Sequence, residues 1–254
     1  SCVVLTTGGR TYPSTGSTGD GYKIVKKVGH TVTPLYATES PLVSEETFIK
    51  DKTLQGLSLQ DISLSVLNKK GKVITEHVMD LLFTHFGISG PAALRCSSFI
   101  NQELQTTGEP VTVVLDCFPN RSLQELINEL TAKSQQSKKT LSNAWHGFLP
   151  ERLLLFFLEQ TGSQTTEKEI QQFAELCKNF SFKITKTFAI EKSFVTGGGV
   201  SLKEINPKTL ESKLVNGLFF AGELLDVNGY TGGFNITAAF ATGHVAGMNA
   251  AFLS

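Results

Sequence analysis

The stretch Gly222-Glu223-Leu224-Leu225-Asp226-Val227-Asn228-Gly229-Tyr230-Thr231-Gly232-Gly233-Phe234-Asn235 decides how this chain is read. It follows a short apolar run, Leu218 to Ala221, that reads as a buried strand. Two acids, Glu223 and Asp226, come just past that strand. The pair Gly232-Gly233 then opens a run of small residues that predicts a final helix from about Phe234 to Phe252. A helix start carries unpaired N–H groups and partial positive charge, which suits an anionic group. Glycines let the backbone come close to a ligand. An acid at the end of a strand can accept hydrogen bonds from sugar-like hydroxyls. The plainer alternative is a turn with an Asn-assisted helix start. Strand, acid, glycine pair and helix in this order favour a binding site.

A partner motif stands at the other end. Residues 1–7 read as a strand, broken by Gly8-Gly9. Thr7-Gly8-Gly9-Arg10 and Thr15-Gly16-Ser17-Thr18-Gly19-Asp20-Gly21 could form an N–H-lined cradle, or an ordinary loop. Neither is a Walker loop or a GxGxxG fingerprint. A short helix, Tyr22 to Val28, follows and ends at Gly29. A third glycine run, Thr196-Gly197-Gly198-Gly199-Val200, could line a pocket, but a linker between strands is the preferred reading.

Between these ends the period changes twice. Leu57 to Leu67 alternates, Asn68 to Lys72 turns, and Val73 to Val78 continues, which predicts a hairpin. Residues 91–104 read as a helix opened by Pro91, and Val111 to Leu115 as a strand. Residues 121–178 take a helical period in four pieces. These are one around Leu123 to Leu130, Leu141 to Phe148, Pro150 to Glu159, and one opened by Thr165-Thr166-Glu167-Lys168-Glu169. Strands are expected at Phe180 to Ile184 and Lys186 to Ile190. Leaving an element type and returning to it implies an insertion. The expected division is 1–35 with 191–254 as one domain, 36–120 with 179–190 as an inserted β domain, and 121–178 as a helical subdomain.

The 254 residues hold 40% apolar and 18% charged residues, enough for a core and too little charge for disorder. Lys plus Arg and Asp plus Glu are 23 each, so no basic excess marks a nucleic-acid partner. No apolar run approaches the ~18 uninterrupted residues of a membrane span. The N-terminal residues lack a secretory signature, and Cys2, Cys96, Cys117 and Cys177 form no CxxC pair. A cytoplasmic protein with neither disulfides nor a metal site is expected. His77 and His85 are the closest histidines, with no metal-ligand spacing around them, and no serine sits in a GxSxG elbow. The first residues, Ser1-Cys2-Val3-Val4-Leu5, open inside an apolar run without a methionine, so a segment of a longer protein is expected.

Four stretches carry a resemblance. Val3 to Gly9 resembles the ATGG strand-turn of two-dinucleotide-binding-domain flavoproteins. Thr15 to Gly21, Phe83 to Pro91 and Gly217 to Asn235 resemble motifs of one branch, the BaiN/YhiN-like flavoproteins, which include aminoacetone oxidase. The GxGxxG unit that family members carry near their start is not among residues 1–254 and is expected upstream of Ser1. The resemblance implies an α/β fold with an insert: a partial, glutathione-reductase-like FAD-binding domain, an inserted β-barrel that handles substrate, and a small helical subdomain. By motif, it implies that Thr7, Gly8 and Gly9 lie near the dinucleotide and that Thr18, Gly19 and Asp20 approach the flavin side. It sets Gly222, Glu223 and Asp226 near the ribityl and phosphate region. Gly232, Gly233, Phe234 and Asn235 then present the helix start to the flavin pyrimidine edge. The implied activity is an FAD-dependent oxidoreduction of a small molecule with hydride passing to flavin N5. The first expectation is a small amine, aminoacetone-like, with oxygen as acceptor. The alternatives are an NAD(P)H-dependent reductase of an enone-like substrate and a non-catalytic interaction module. No protein base is nominated, because a neutral amine needs none, and no nucleic acid or membrane partner is expected.

Overall fold

A computed structural model of the chain describes residues 1–136, 141–162, 164 and 166–253. In chain order, β1 is Val3–Leu5, α1 Asp20–Lys27, β2 Tyr36–Thr38, β3 Leu42–Val43 and α2 Thr47–Lys50. Next come β4 (Ser58–Leu67), β5 (Val73–Phe83), β6 (Gly87–Ser89), α3 (Pro91–Thr107) and β7 (Val111–Asp116). Helices α4 (Leu123–Gln136), α5 (Leu141–Ala144), α6 (Glu151–Thr161) and α7 (Glu167–Lys178) follow. The last elements are β8 (Phe180–Ile184), β9 (Lys186–Thr187), β10 (Val195–Gly197), β11 (Leu218–Phe220) and α8 (Phe234–Leu253).

The chain divides into two compact units. One is built from both ends, Ser1–Pro41 and Thr187–Ser254, and the other is Leu42–Lys186. The sequence reading set the breaks after residues 35 and 190. Residues 36–38 belong with the ends because β2 pairs antiparallel with β10, Thr38 opposite Val195 and Tyr36 opposite Gly197.

In the two-ended unit, β1 lies parallel to β11, Val3 opposite Leu218 and Leu5 opposite Phe220. The core gathers Val25 of α1, Phe219 and Phe220 of β11, and Leu224. The Thr242 hydroxyl of α8 accepts the Gly222 N–H at 2.9 Å, which docks the helix under the strand end. Most of α8 is open: Phe234, Ile236, Phe240 and Phe252 are exposed, and Ala246 is buried. By length and mean hydropathy α8 is apolar enough to cross a membrane. The uninterrupted-run criterion passes over it because Asn235, Thr237, His244 and Asn249 punctuate it.

In the Leu42–Lys186 unit the sheet runs β8-β7-β4-β5-β6-β3 and ends on β9. β4 and β5 form the expected hairpin. The Asn68 side chain accepts the Lys70 and Lys72 N–H groups, each at 3.0 Å, and so fixes the turn. A bulge between Leu59 and Ile62 shifts the phase of the alternation, so Ile62, Leu64 and Val66 continue the buried face that Leu59 begins. Phe83 to Pro91 is a structural turn: a Cβ at Gly87 would lie 2.1 Å from the Leu42 carbonyl oxygen. One core joins sheet and helices, with Leu64, Val66 and Phe83 meeting Leu126, Trp145, Phe157 and Phe173. Burying each such side chain contributes roughly 1.5–3 kcal/mol.

Two expected elements are shorter than their sequence pattern. The helix read over Leu141 to Phe148 stops at Ala144, where a bridge between His146 and Leu149 takes over. The strand read over Lys186 to Ile190 keeps only Lys186–Thr187, since Ile190–Lys192 forms a tight 3-10 turn. The fourth helix, α7, is capped as its acids suggest. Thr166 accepts the Glu169 N–H and donates to the Glu169 carboxylate at 2.9 Å. Thr165 lies outside the described residues.

Candidate functional site

The two-ended unit carries a cleft of about 370 Å³, within the range of small-ligand pockets, roughly 300–1,000 Å³. Its lining comes from Phe194 and Val195, from Glu223, and from Tyr230 to Gly233 with the first turns of α8. Gly232 and Gly233 have φ of 115° and 93°, which side-chain-bearing residues resist. A Cβ on Gly233 would meet no protein atom within 4 Å, so its face is open. The Thr237 N–H bonds the Gly233 carbonyl at 2.9 Å. The N–H groups of the turn before it have no intrahelical acceptor and form the positive end of the helix. The Asn235 side chain clasps the loop, accepting the Gly229 N–H and donating to the Gly229 carbonyl, both at 2.8 Å. Asn235 therefore shapes the loop through its amide and offers a ligand its backbone.

Glu223 ties the N-terminal motif to this cleft. Its carboxylate accepts the Thr196 N–H at 2.6 Å, and the Thr196 hydroxyl oxygen accepts the Arg10 N–H at 2.8 Å. Gly9 fits against both: a Cβ there would stand 2.3 Å from Thr196 Oγ1 and 2.6 Å from Glu223 Oε1. Thr7 lies under the first turn of α1, where a Cβ on Gly21 would come within 1.9 Å of its hydroxyl. The Tyr22 hydroxyl donates to the Glu223 carbonyl at 3.2 Å. Burial, with the Glu223 and Asp226 carboxylates nearby, holds that phenol well above its ordinary value, so it stays a neutral donor.

The other expected residues sit apart from the cleft lining. Thr18 and Asp20 form the exposed start of α1, where Asp20 accepts from Lys23 at 2.9 Å and from the Thr18 hydroxyl at 2.7 Å. Those two bonds hold the Asp20 carboxyl below its ordinary value. Gly19 precedes α1 against Arg10 and Tyr22. The Asp226 carboxylate accepts the Thr33 hydroxyl at 3.0 Å. Gly222 faces Ala239 of α8, and the Phe234 ring is exposed. The Gly197-Gly198-Gly199 run is a packed junction rather than a linker. Added Cβ atoms would strike the Tyr36 ring, the Pro34 carbonyl and the Leu225 backbone respectively. Sequence reading passed over Phe194 and Val195, which carry no motif of their own and reach the cleft through the pairing of β10 with β2. Thr231 lies within the Gly222–Asn235 stretch, where nothing singles it out.

A second constellation has the outline of a charge relay. His30 Nε2 lies 2.7 Å from Ser212 Oγ, and His30 Nδ1 lies 3.0 Å from Glu204 Oε2. Ser212 is buried, and its oxygen already accepts the Leu214 and Val215 N–H groups at 3.0 and 2.8 Å. Its lone pairs are committed and no substrate reaches it, so the trio braces the core beside Phe220. Among the described residues, no three His, Cys, Asp or Glu side chains gather as metal ligands.

Comparison with known proteins sets this geometry in context. Residues 36–195 match the model of the HI0933-like protein barrel and H2TH domain, and residues 194–254 match that of glucose inhibited division protein A. A ribosomal RNA dihydrouridine synthase of Haemophilus influenzae is 32% identical over 97% of this chain and 59% of its own length. A 3-dehydro-bile acid delta(4,6)-reductase of Clostridium scindens is 29% identical over 98% of this chain and 62% of its own. A ribosomal RNA dihydrouridine synthase of Escherichia coli is 30% identical over 94% and 58%. The chain thus spans about three-fifths of the length of these relatives.

Proposed function

This chain belongs to the HI0933-like family of BaiN/YhiN-like FAD-dependent oxidoreductases, and from that premise we propose that it serves the reduction of a carbon–carbon double bond conjugated to a carbonyl. The observation that carries the flavin assignment is the cleft at the start of α8. Its residues suit a flat, electron-accepting ring: a glycine pair without side chains, an apolar wall at Phe194 and Val195, and a positive helix end. FAD, when bound, supplies the hydride chemistry. The helix start would stabilise negative charge at the ring edge. Glu223, fixed by the Thr196 N–H, would accept hydrogen bonds from polyol hydroxyls. Phe194 and Val195 would exclude water from one face. Gly9, packed against Thr196 and Glu223, and the Arg10 N–H hold those two side chains in register.

The choice of substrate class rests on the relatives. Making dihydrouridine saturates a ring double bond conjugated to a carbonyl, and a delta(4,6)-reductase of a 3-dehydro compound does the same to a dienone. This common chemistry favours the enone-like reading over the small amine with oxygen as acceptor. A free small molecule is the substrate we favour, working in the cytoplasm, with the inserted β-barrel as substrate domain and the 121–178 helices as its accessory. A uracil ring within RNA is the second reading, favoured by the names of two relatives. The balanced charge of 23 against 23 supplies no overall basic field for it.

The test is anaerobic stopped-flow on the full-length gene product loaded with FAD. NAD(P)H should bleach the flavin, and an enone or uridine should restore its colour. Peroxide release with aminoacetone in a parallel air-saturated assay, with no anaerobic reoxidation by any enone, would return the amine-oxidase reading.

A further inference from the structure

Glu39 is a carboxylate buried to 1% exposure that has no role in the site described above. Its backbone is left-handed at φ 51°, a conformation that side-chain-bearing residues hold only when their surroundings enforce it. A buried carboxylate likewise persists only where hydrogen bonds satisfy it. Two bonds enforce both features. The Glu39 carbonyl accepts the Phe194 N–H at 3.2 Å, and its carboxylate accepts the Thr231 N–H at 3.0 Å. Phe194 and Thr231 belong to separate segments, and both line the cleft. Thr231 immediately precedes the Gly232-Gly233 pair, whose own positive φ values give the turn little intrinsic stiffness. One residue therefore joins the apolar wall to the glycine turn.

Resting on the flavin reading above, we propose that Glu39 is a positioning residue that latches the Thr231–Gly233 turn to the Phe194 wall and so sets the width of the ring-binding cleft. It acts through main-chain N–H groups and not by touching a reacting atom. A buried, directional hydrogen bond from the Thr231 N–H to the side-chain oxygen is the means. The left-handed backbone at Glu39 lets its carbonyl meet one segment and its side chain the other.

The test compares Glu39→Ala, which loses the acceptor, with Glu39→Gln, which keeps an oxygen for the Thr231 N–H and loses the charge. Hydrogen–deuterium exchange on this chain reads the 229–234 segment directly. FAD titration and the visible-band fine structure of the bound flavin are read on the full-length gene product. In Glu39→Ala, exchange over 229–234 should quicken and FAD affinity should fall, each about tenfold, the loss of one such bond. The flavin band should also lose fine structure. In Glu39→Gln all three should return most of the way, and exchange over Leu59 to Leu67 should not move in either variant. Unchanged exchange over 229–234 in Glu39→Ala overturns the latch. Faster exchange with unaltered FAD affinity and band shape overturns its role in the cleft. Equal impairment by Gln and Ala overturns the positioning role in favour of a need for charge. A wild-type gene product that takes up no FAD refutes the flavin reading itself, an outcome distinct from any difference between variants.

Discussion

Replacing Gly199 with alanine separates packing from backbone strain within the two-ended unit. A Cβ at this position would lie 2.5 Å from the Leu225 carbonyl carbon, 2.6 Å from its oxygen and 2.7 Å from the Asp226 nitrogen. All three are main-chain atoms and cannot swing aside. The backbone there also holds φ at 155°. Relieving the clash must move the 199–200 segment, whose bonds are Thr33 N–H to Gly199 O at 2.8 Å and Val200 N–H to Leu224 O at 2.9 Å. Overpacking costs about 1–3 kcal/mol and an unfavourable φ about 1–3 kcal/mol, so Gly199→Ala should cost the unit about 4 kcal/mol. Gly29 is the control, with φ of 94° and no atom within 4 Å of an added Cβ. Gly29→Ala should cost strain alone, about 1–2 kcal/mol. Native-state hydrogen exchange at Phe219 and Phe220 reads the opening of this core. About 4 kcal/mol corresponds to exchange faster by roughly a thousandfold. Trp145, the single tryptophan, sits in the other unit and supplies an internal control by fluorescence. Equal effects of the two substitutions would refute the close junction at Gly199.

Other outcomes follow from single contacts. Bonds from Thr31 and His30 hold the Glu204 carboxyl below its ordinary value of 4.5. A depressed folded-state value means that its stabilising contribution is present above about pH 4.5 and is lost as pH falls through the folded value. Urea titrations across that window should show Glu204→Gln less stable than wild type at neutral pH and less sensitive to acid; parallel pH profiles would contradict this. Gly243 lies within α8 with nothing near an added Cβ. Gly243→Ala should raise the stability of this chain by about 1 kcal/mol through helix propensity, and a lower melting temperature would contradict the open face of α8.

What the sequence disclosed was local. The β4–β5 hairpin could be read because Asn68 and the alternation around it act within a few residues. The α7 cap and the bounds of α8 could be read for the same reason. The Gly222–Asn235 stretch stood out by its order, and Gly232, Gly233, Glu223 and Asn235 are found lining one cleft. Features that depend on distant partners stayed hidden. Gly197 to Gly199 resemble a linker until Tyr36, Pro34 and Leu225 are brought against them. Thr18 and Asp20 read as cradle residues, and the sequence does not show that Asp20 opens helix α1 and accepts from both the Thr18 hydroxyl and Lys23. Glu39 gives no signal at all, since its partner Thr231 lies 192 residues away. The β9 strand failed for the opposite reason: its local pattern was adequate, and pairing after Thr187 was lost to the turn at Ile190.

The central claim is that the start of α8 receives the flavin ring, and melting curves with and without excess FAD test it most directly. A ligand at a hundred times its dissociation constant stabilises the state that binds it by about 2.7 kcal/mol. Gly233→Val suits the comparison, because its side chain would enter open space in the cleft and the only intrinsic cost is the backbone at φ 93°. In the full-length gene product, FAD should raise the melting temperature of wild type and leave that of Gly233→Val nearly at its own FAD-free value, which should itself lie lower than wild type by a strain of about 1–2 kcal/mol at φ 93°. A Gly233→Val protein that keeps the whole FAD-induced shift would contradict the account.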